Sequence, residues 1–349
     1  MRTLMLFGVS GVLALSLGSA APQGAPQAAP QAADCNPSGN VRFICGAMGG
    51  PEDFAFVPGT DWILASSYSG GILSAINVRD QKPIKIFPAA APRERLDAKT
   101  YAGCPGPIVQ AEPGKERTHG LYLVPGTNST HTMYMVHHGN RESVEVFEVD
   151  GRATPPALTW VGCVIAPEKT TLNSVVALPE GGIAVTNTNT VGGTGVAAKG
   201  ENTGELWEWH LGKGWEKVPG SEAPAPNGLE ISKDGKWFYV GGFGNLEFVR
   251  LSRGQTPVKK DVVQVGYTLD NLRWAPDGTL LASGKTRGTP QTMSVDKINP
   301  NTMQVQQIVR YVLAPDVANG SVAIQVGKDV WVGTLRGDRI MVFPATPAE

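Results

Sequence analysis

The sequence predicts an all-β chain folded as a six-bladed β-propeller with a central channel. Alternating apolar strands recur as hairpins, and each hairpin opens with a polar residue six positions before its turn. The turns begin at Pro58, Pro125, Pro179, Lys233, Pro276 and, less regularly, Gly327. Their spacing of 43 to 67 residues suits a four-stranded blade with loop insertions. The 43 Gly and 27 Pro among 349 residues also favour many turns over long helices.

Polar residues stand at the same level in all six hairpins. They are Glu52, His119, Asn173, Asn227, Asp270 and Ser321. The innermost strands of a propeller run along the channel, so these side chains should converge at one end of it. Buried carboxylates need a positive partner, and an all-oxygen set of Glu, Asn and Asp suits Ca²⁺ better than Mg²⁺. The residues themselves therefore predict a calcium site in the channel.

The first residues have the composition of an export signal. Arg2 precedes the apolar run Leu4–Leu17, and small residues follow. This pattern predicts a cleaved signal peptide over residues 1–21, an Ala/Pro/Gln-rich spacer over 22–34 and a folded domain over 35–349. An uncleaved anchor is the alternative, but the run is shorter than the about 20 apolar residues of a spanning helix. We expect a secreted or periplasmic protein with no stable membrane span after cleavage.

The four cysteines should form disulfides in an exported protein. Three pairings are open, and Cys35–Cys45 with Cys104–Cys163 is preferred. The first pair is local in sequence, and the second lies in loops that flank blade 2. A thiol metal site is disfavoured, because no Cys-x-x-Cys occurs and an oxidising compartment is expected.

Blade 1 places two acids at its mouth. Its inner strand is predicted over Pro51–Val57 and the next over Trp62–Ser67. In a regular strand Glu52 and Asp53 would point to opposite faces, one to the channel and one to its wall. The insertion Pro88–Lys115 that follows is too long for an ordinary connection, and we expect either a lid or a packed loop.

Blade 2 contains most of the histidines. His119 stands at the channel end of its inner strand, and alternation gives His137 and His138 opposite faces in the next. His119 and His138 could therefore meet near the axis. Two imidazoles beside hard oxygen ligands are a poor zinc set. His131, in a turn, and His210, on an outer strand, are expected to be structural.

Blades 3 to 6 repeat the hairpin. Their predicted strand pairs are Leu172–Leu178 with Gly182–Asn187, Asn227–Ile231 with Trp237–Val240, Thr268–Trp274 with Leu280–Gly284, and Ser321–Val326 with Val330–Thr334. A last strand, Asp338–Phe343, must close the ring. The strand material near Val41–Cys45 is its expected partner.

Six short motifs occur in order at the hairpin mouths. They are Glu52-Asp53, His119-Gly120-Leu121, Val136-His137-His138 followed by Ser143–Phe147, Leu172-Asn173, Asn227-Gly228 followed by Ser232–Lys236, and Leu269-Asp270-Asn271. They resemble the paraoxonase/arylesterase family of calcium-dependent lactonases and, more distantly, the gluconolactonase (SMP-30-like) propellers. The likeness spans about Gly50–Phe343.

The resemblance implies roles for particular residues. It implies a catalytic Ca²⁺ held by Glu52, Asn173, Asn227, Asp270 and Asn271, with His119 and His138 as a proton-handling dyad. It also implies a second, structural Ca²⁺ at Asp53 and the carbonyl of Leu121. The chain departs from the family there, because Ser174 stands where the family has Asp. The paraoxonase branch staples its termini by a disulfide, whereas no Cys follows Cys163 here, so strand pairing alone must close the ring.

These expectations define a calcium-dependent hydrolase of small lactones or related esters. Ca²⁺ would polarise the carbonyl, and a histidine-activated water would attack it. One alternative is a gluconolactonase-type sugar lactonase that needs no histidine base, and another is a non-catalytic, calcium-stabilised binding propeller. The net charge of −1 shows no basic surplus, so nucleic acid is not an expected partner.

Overall fold

The computed structural model describes residues 35–36, 39–109, 114–188, 199–242, 244–314 and 317–345. All of them belong to one compact unit, Ala33–Glu349. Their regular structure is entirely β, with no helix among them, so none of these residues forms a helix that could cross a membrane. The expected signal peptide (1–21) and spacer (22–34) lie outside the described residues.

The residues that the structure describes form twenty-five strands. The first twelve are β1 (Arg42–Cys45), β2 (Pro51–Phe56), β3 (Trp62–Ser67), β4 (Leu73–Asn77), β5 (Pro83–Phe87), β6 (Arg93–Glu94), β7 (Arg117–Val124), β8 (Thr130–His138), β9 (Ser143–Asp150), β10 (Ala157–Ile165), β11 (Leu172–Ala177) and β12 (Ile183–Asn187). The others are β13 (Glu205–His210), β14 (Gly214–Lys217), β15 (Pro226–Ile231), β16 (Trp237–Gly242), β17 (Glu247–Ser252), β18 (Lys260–Gln264), β19 (Thr268–Trp274), β20 (Leu280–Lys285), β21 (Thr292–Ile298), β22 (Val305–Val312), β23 (Ala323–Val326), β24 (Asp329–Val332) and β25 (Arg339–Pro344).

The strands form six antiparallel blades, which confirms the predicted propeller. Blade 1 is β2 to β5, blade 2 is β7 to β10 with β6 at its outer edge, and blades 3, 4 and 5 are β11 to β14, β15 to β18 and β19 to β22. Blade 6 consists of β23, β24, β25 and β1. The first strand of the domain therefore completes the last blade and closes the ring, as expected, with Arg42 opposite Val342 and Cys45 opposite Arg339.

Both preferred disulfides are present. Cys35 bonds to Cys45 at the end of β1, and Cys104 bonds to Cys163 in β10. The second bond fastens the long insertion to blade 2, where the insertion also contributes β6, parallel to β10. The described part of the insertion is therefore tied to blade 2, although its residues 89–96 are exposed.

A β-bulge interrupts the inner strand of each of the first five blades at the same place. Two consecutive residues there oppose a single residue of the neighbouring strand. The bulged pairs are Glu52-Asp53, His119-Gly120, Asn173-Ser174, Asn227-Gly228 and Asp270-Asn271. A bulge ends strict alternation, so both residues of a pair can turn toward the channel.

The expectation that Glu52 and Asp53 face opposite sides is therefore wrong. Glu52 accepts a hydrogen bond from Asn271, and Asp53 contacts Arg273, so both acids reach blade 5 across the channel. Both side chains are fully buried. Period-two alternation fails here because the extra residue of the bulge rotates the strand locally.

Glycine fills the second bulge position in blades 2 and 4, where the backbone of the next blade lies close by. A Cβ at Gly120 would lie 2.3 Å from the carbonyl oxygen of Asn173, and one at Gly228 would lie 2.2 Å from that of Asp270. No side chain fits at such distances. These glycines allow the inner strands to draw together and bring the polar ends of the blades within contact of one another.

The residue after each bulge is apolar and packs between blades. These residues are Phe54, Leu121, Val175, Leu229 and Leu272, each at most 1% exposed. Burying one such side chain contributes about 2 kcal/mol. His131, expected in a turn, lies instead in β8, where it is buried and its ring accepts a hydrogen bond from the amide of Gly126. Its role is structural, as expected.

Candidate functional site

The polar bulges meet at one mouth of the channel. Asn173, Asn227 and Asp270 line a cavity of about 120 Å³ together with His119 and His138. Glu52 adjoins it, because its Oε1 lies 3.5 Å from Nε2 of His119. Asn271 Nδ2 donates to the same Oε1 at 2.7 Å. The structure therefore brings together all five residues that the sequence suggested as metal ligands and both histidines.

Two oxygens of this cluster lack partners. Oε2 of Glu52 and Oδ1 of Asn227 are buried without a hydrogen bond to any described residue. Buried polar atoms are normally satisfied, and an exception calls for an explanation such as an ion. Burial raises the pKa of Asp270 well above its ordinary value, and the charges of Glu52 and Asp53 raise it further. The cluster therefore fits a hard divalent cation.

Asn271 holds its carboxamide between two neighbours. Its Nδ2 faces Glu52, and its Oδ1 accepts a hydrogen bond from Oγ of Ser174 at 3.0 Å. A hydroxyl can donate or accept, so turning the amide by 180° would keep the Ser174 contact and present oxygen to the Glu52 side. Asn271 can therefore donate a hydrogen bond to Glu52 through Nδ2 or, with its amide turned, bind a cation through Oδ1.

The two histidines form a directed hydrogen-bond chain. Nδ1 of His119 lies 2.9 Å from Nε2 of His138, whose Nδ1 lies 2.8 Å from Oε2 of Glu142. The amide of Leu172 donates to the other Glu142 oxygen at 2.6 Å. Because a carboxylate only accepts, His138 donates to Glu142 through Nδ1 and accepts from His119 through Nε2. This arrangement leaves the lone pair on Nε2 of His119, the nitrogen next to Glu52.

Burial favours the neutral form of His138. It lowers the pKa of this imidazole, and the hydrogen bond from His138 to Glu142 offsets part of that effect.

Tyr68 packs against the histidines from the loop between β3 and β4. Its ring lies edge-on to His119 and His138, with centroids 4.7 Å and 6.0 Å away. The guanidinium of Arg117 lies 4.8 Å from the centre of the Tyr68 ring and donates to the Tyr68 carbonyl. Tyr68 therefore fixes the imidazole planes and covers one side of the cavity.

The residues suggested for a second calcium ion do not fit a metal. Nη2 of Arg273 donates to Asp53 and, at 2.8 Å, to the carbonyl of Leu121. Ser174 uses its hydroxyl on Asn271. A buried guanidinium thus takes up the oxygens that an ion would need.

Four residues at this end of the channel were not identified from the sequence. They are Tyr68, Glu142, Arg273 and Asn319, whose Nδ2 donates to Oδ2 of Asp270 at 2.5 Å. Arg273 could have been identified from the sequence, because a charged residue inside the apolar inner strand β19 must find polar partners when it is buried. The other three lie outside the strands, where the hairpin pattern assigns no position relative to the axis.

The fold and the site together define a six-bladed propeller with an acidic, histidine-bearing channel mouth. No protein-family model matches the sequence, and the comparison with curated proteins found no significant match. Solved structures are similar in fold, at identities that show the fold alone. A protein assigned as a gluconolactonase is 14% identical, with a TM-score of 0.53 over 89% of this chain and 94% of that chain.

Two other propellers align over similar lengths. A luciferin-regenerating enzyme is 12% identical, with a TM-score of 0.55 over 88% of this chain and 100% of that chain. Regucalcin, a calcium-binding protein from Agrobacterium tumefaciens, is 12% identical, with a TM-score of 0.51 over 85% and 90%. The structural neighbours are thus six-bladed propellers of the gluconolactonase/SMP-30 type.

Proposed function

We propose that this protein is a calcium-dependent hydrolase of lactones or related carboxylic esters. One observation carries the proposal: the chain from Glu142 through His138 to His119 ends beside buried oxygens that lack partners. The residues that would hold the ion are Glu52, Asn173, Asn227, Asp270 and Asn271. When bound, Ca²⁺ supplies the positive charge that polarises a carbonyl oxygen.

The histidine chain supplies the base. Nε2 of His119 accepts a proton from water as the water oxygen attacks the carbonyl carbon. The proton on Nδ1 can then pass to Nε2 of His138, and Glu142 stabilises the resulting charge through Nδ1. When the ring C–O bond breaks, His138 returns the proton to Nδ1 of His119, and the leaving oxygen takes the proton held on Nε2 of His119. The reaction consumes one water and opens one lactone ring.

The surroundings of the site support a small substrate. A cavity of about 120 Å³ suits the reacting ring of a lactone or the acyl group of a small ester. Tyr68 and Leu335 provide apolar surface on its walls. The two disulfides support an oxidising compartment, and we therefore place the protein outside the cell or in the periplasm.

Two of the structural neighbours agree with the proposal. One is assigned as a gluconolactonase, and the other, regucalcin, is a calcium-binding protein. At 12–14% identity they support the proposal only through the fold that they share with this chain.

Hydrolysis of a panel of aliphatic, aryl and sugar lactones, with and without a chelator, tests the proposal. We expect hydrolysis that is lost with the chelator and regained with added Ca²⁺. Calcium binding without hydrolysis of any lactone or ester would identify a binding propeller. Hydrolysis that is confined to sugar lactones and survives loss of His119 would identify a gluconolactonase-type enzyme.

A further inference from the structure

Arg273 uses its whole hydrogen-bonding capacity inside the channel. A guanidinium has five N–H donors. Nε donates to the carbonyl of Phe54 at 3.0 Å, and Nη1 donates to the carbonyl of Leu272 at 2.6 Å and faces Glu230 at 3.4 Å. Nη2 donates to Asp53 and to the carbonyl of Leu121 at 2.8 Å. The side chain is satisfied without water although it is buried.

These contacts join four blades. Arg273 belongs to blade 5, Asp53 and Phe54 to blade 1, Leu121 to blade 2 and Glu230 to blade 4. Glu230 and Arg273 occupy equivalent positions, each two residues after the bulge of its inner strand. One side chain therefore performs a task that a multivalent ion performs in other proteins, which is to tie oxygen donors from separate elements together.

The positions of the charges support one ion beside this arginine. Among the described residues the buried acids of the channel are Glu52, Asp53, Glu230 and Asp270, and Arg273 contacts two of them, Asp53 and Glu230. Its single positive charge is shared by that pair. Glu52 and Asp270 lie apart from the guanidinium, and a single divalent ion would neutralise both. A second ion at Asp53 would have to displace the guanidinium or share its oxygens, and like charges a few ångströms apart repel strongly in a buried site.

We infer that Arg273 is a built-in cation that replaces a structural metal ion, so that the chain binds one Ca²⁺ and keeps its fold without any. The ion count rests on the proposed function, because it assumes the site at Glu52. The role of Arg273 in the fold does not depend on that site.

Metal analysis after equilibrium dialysis against Ca²⁺ gives the first test. We expect one ion per chain at saturation and a single cooperative melting transition in excess chelator. Two ions in the unaltered protein would overturn the inference and leave the proposed function standing. No bound ion would overturn the proposed function and the ion count, and the melting experiments below would still decide the role of Arg273.

Variants of Arg273 give the second test. Arg273→Met removes the charge and nearly preserves the length, so Asp53 and Glu230 are left buried without a partner. In chelator we expect its melting temperature to fall by roughly 10 °C. With Ca²⁺ we expect two ions per chain and recovery of much of this loss. Arg273→Lys keeps the positive charge but loses the planar guanidinium. This variant should bind one ion, and its melting temperature in chelator should lie between those of the unaltered protein and Arg273→Met.

A double variant separates the specific role from general damage. Adding Asp53→Asn to Arg273→Met removes an unpaired carboxylate, so it should abolish the second ion and raise the melting temperature in chelator. Arg250→Met, which breaks an arginine pair with Asp261 on outer strands, is the matched control and should bind one ion. If Arg273→Met melts no lower than this control, or if Asp53→Asn rescues nothing, Arg273 is not a structural cation.

Discussion

Nδ1 of His119 lies 2.9 Å from Nε2 of His138 on the adjacent strand of the same blade. In the ladder Thr118 pairs with His137, and the bulge at His119 brings its imidazole to the mouth of the hairpin. Because Glu142 orients His138, the free lone pair of the chain is on Nε2 of His119. The polarity of the hydrogen bonds thus assigns different roles to two residues of the same type.

Replacing the terminal histidine tests the base. We expect His119→Gln to lower kcat on lactones by roughly 10²- to 10⁴-fold, the usual contribution of positioned acid–base catalysis. His138→Gln should cost less, because it acts through its neighbour. His210→Gln, on the outer strand β13, is the control and should leave kcat unchanged. Full lactonase activity in His119→Gln would favour the gluconolactonase-type alternative.

Glu142 is expected to position His138 rather than to contact substrate. Its charge raises the pKa of His138 against the effect of burial, so Glu142→Gln should lower that pKa further. A protonated His138 can no longer accept the proton on Nδ1 of His119, so the acidic limb of the kcat profile should move to lower pH. We expect kcat at its optimum to fall about tenfold, because orientation is weakened. The control is Glu148→Gln, at an exposed ion pair in the same blade, and it should leave the pH profile unchanged. If the acidic limb does not move in Glu142→Gln, Glu142 does not position His138.

Calcium should stabilise the fold as well as the site. An ion at about 1,000 times its Kd adds about 4 kcal/mol, so chelation should lower the melting temperature by several degrees. The effect of Asp270→Asn on the melting temperature should change sign with Ca²⁺. The substitution removes a charged metal ligand when Ca²⁺ is present, but it relieves repulsion from Glu52 when Ca²⁺ is absent. We expect the variant to melt below the unaltered protein in Ca²⁺ and above it in chelator. A lower melting temperature in both would contradict the repulsion argument.

Glu230 should make stability depend on pH. Burial raises its pKa to about 7 even though Arg273 opposes the shift. An unfolded Glu titrates near 4.3, so between that value and about 7 the folded state holds a proton that the unfolded state has lost. Stability is then highest at the acidic end of this window and falls as pH rises through it. Asp53, with its pKa raised to about 6, adds to the same trend.

Melting curves from pH 5 to 8 at saturating Ca²⁺ measure this dependence. Glu230→Gln should flatten the decline, because it removes one group that holds the extra proton. Glu216→Gln, an exposed acid on β14, is the control and should retain the decline. A slope that is unchanged in Glu230→Gln would mean that Arg273 keeps Glu230 ionised throughout.

The sequence by itself determined the architecture. Hairpins that open with polar residues at one register predict six blades, and those residues meet where the prediction puts them. The preferred disulfides followed from the short spacing of Cys35 and Cys45 and from the positions of Cys104 and Cys163 beside blade 2. The pairing of β1 with β25 followed from the need to close a ring. These features depend on patterns within one blade or on the ends of the chain, and both can be recognised without coordinates.

Only the tertiary structure decided which side chains face one another across the channel. Alternation predicted opposite faces for Glu52 and Asp53, but a bulge turns both inward, and bulges leave no fixed mark in a sequence. Arg273 and Asp53 are 220 residues apart, so their contact exists only once the ring has closed. Contacts between such distant residues depend on how every blade packs against the next. Local patterns therefore predict the blades, whereas the packing of the blades against one another determines which charged and hydrogen-bonding side chains meet in the channel.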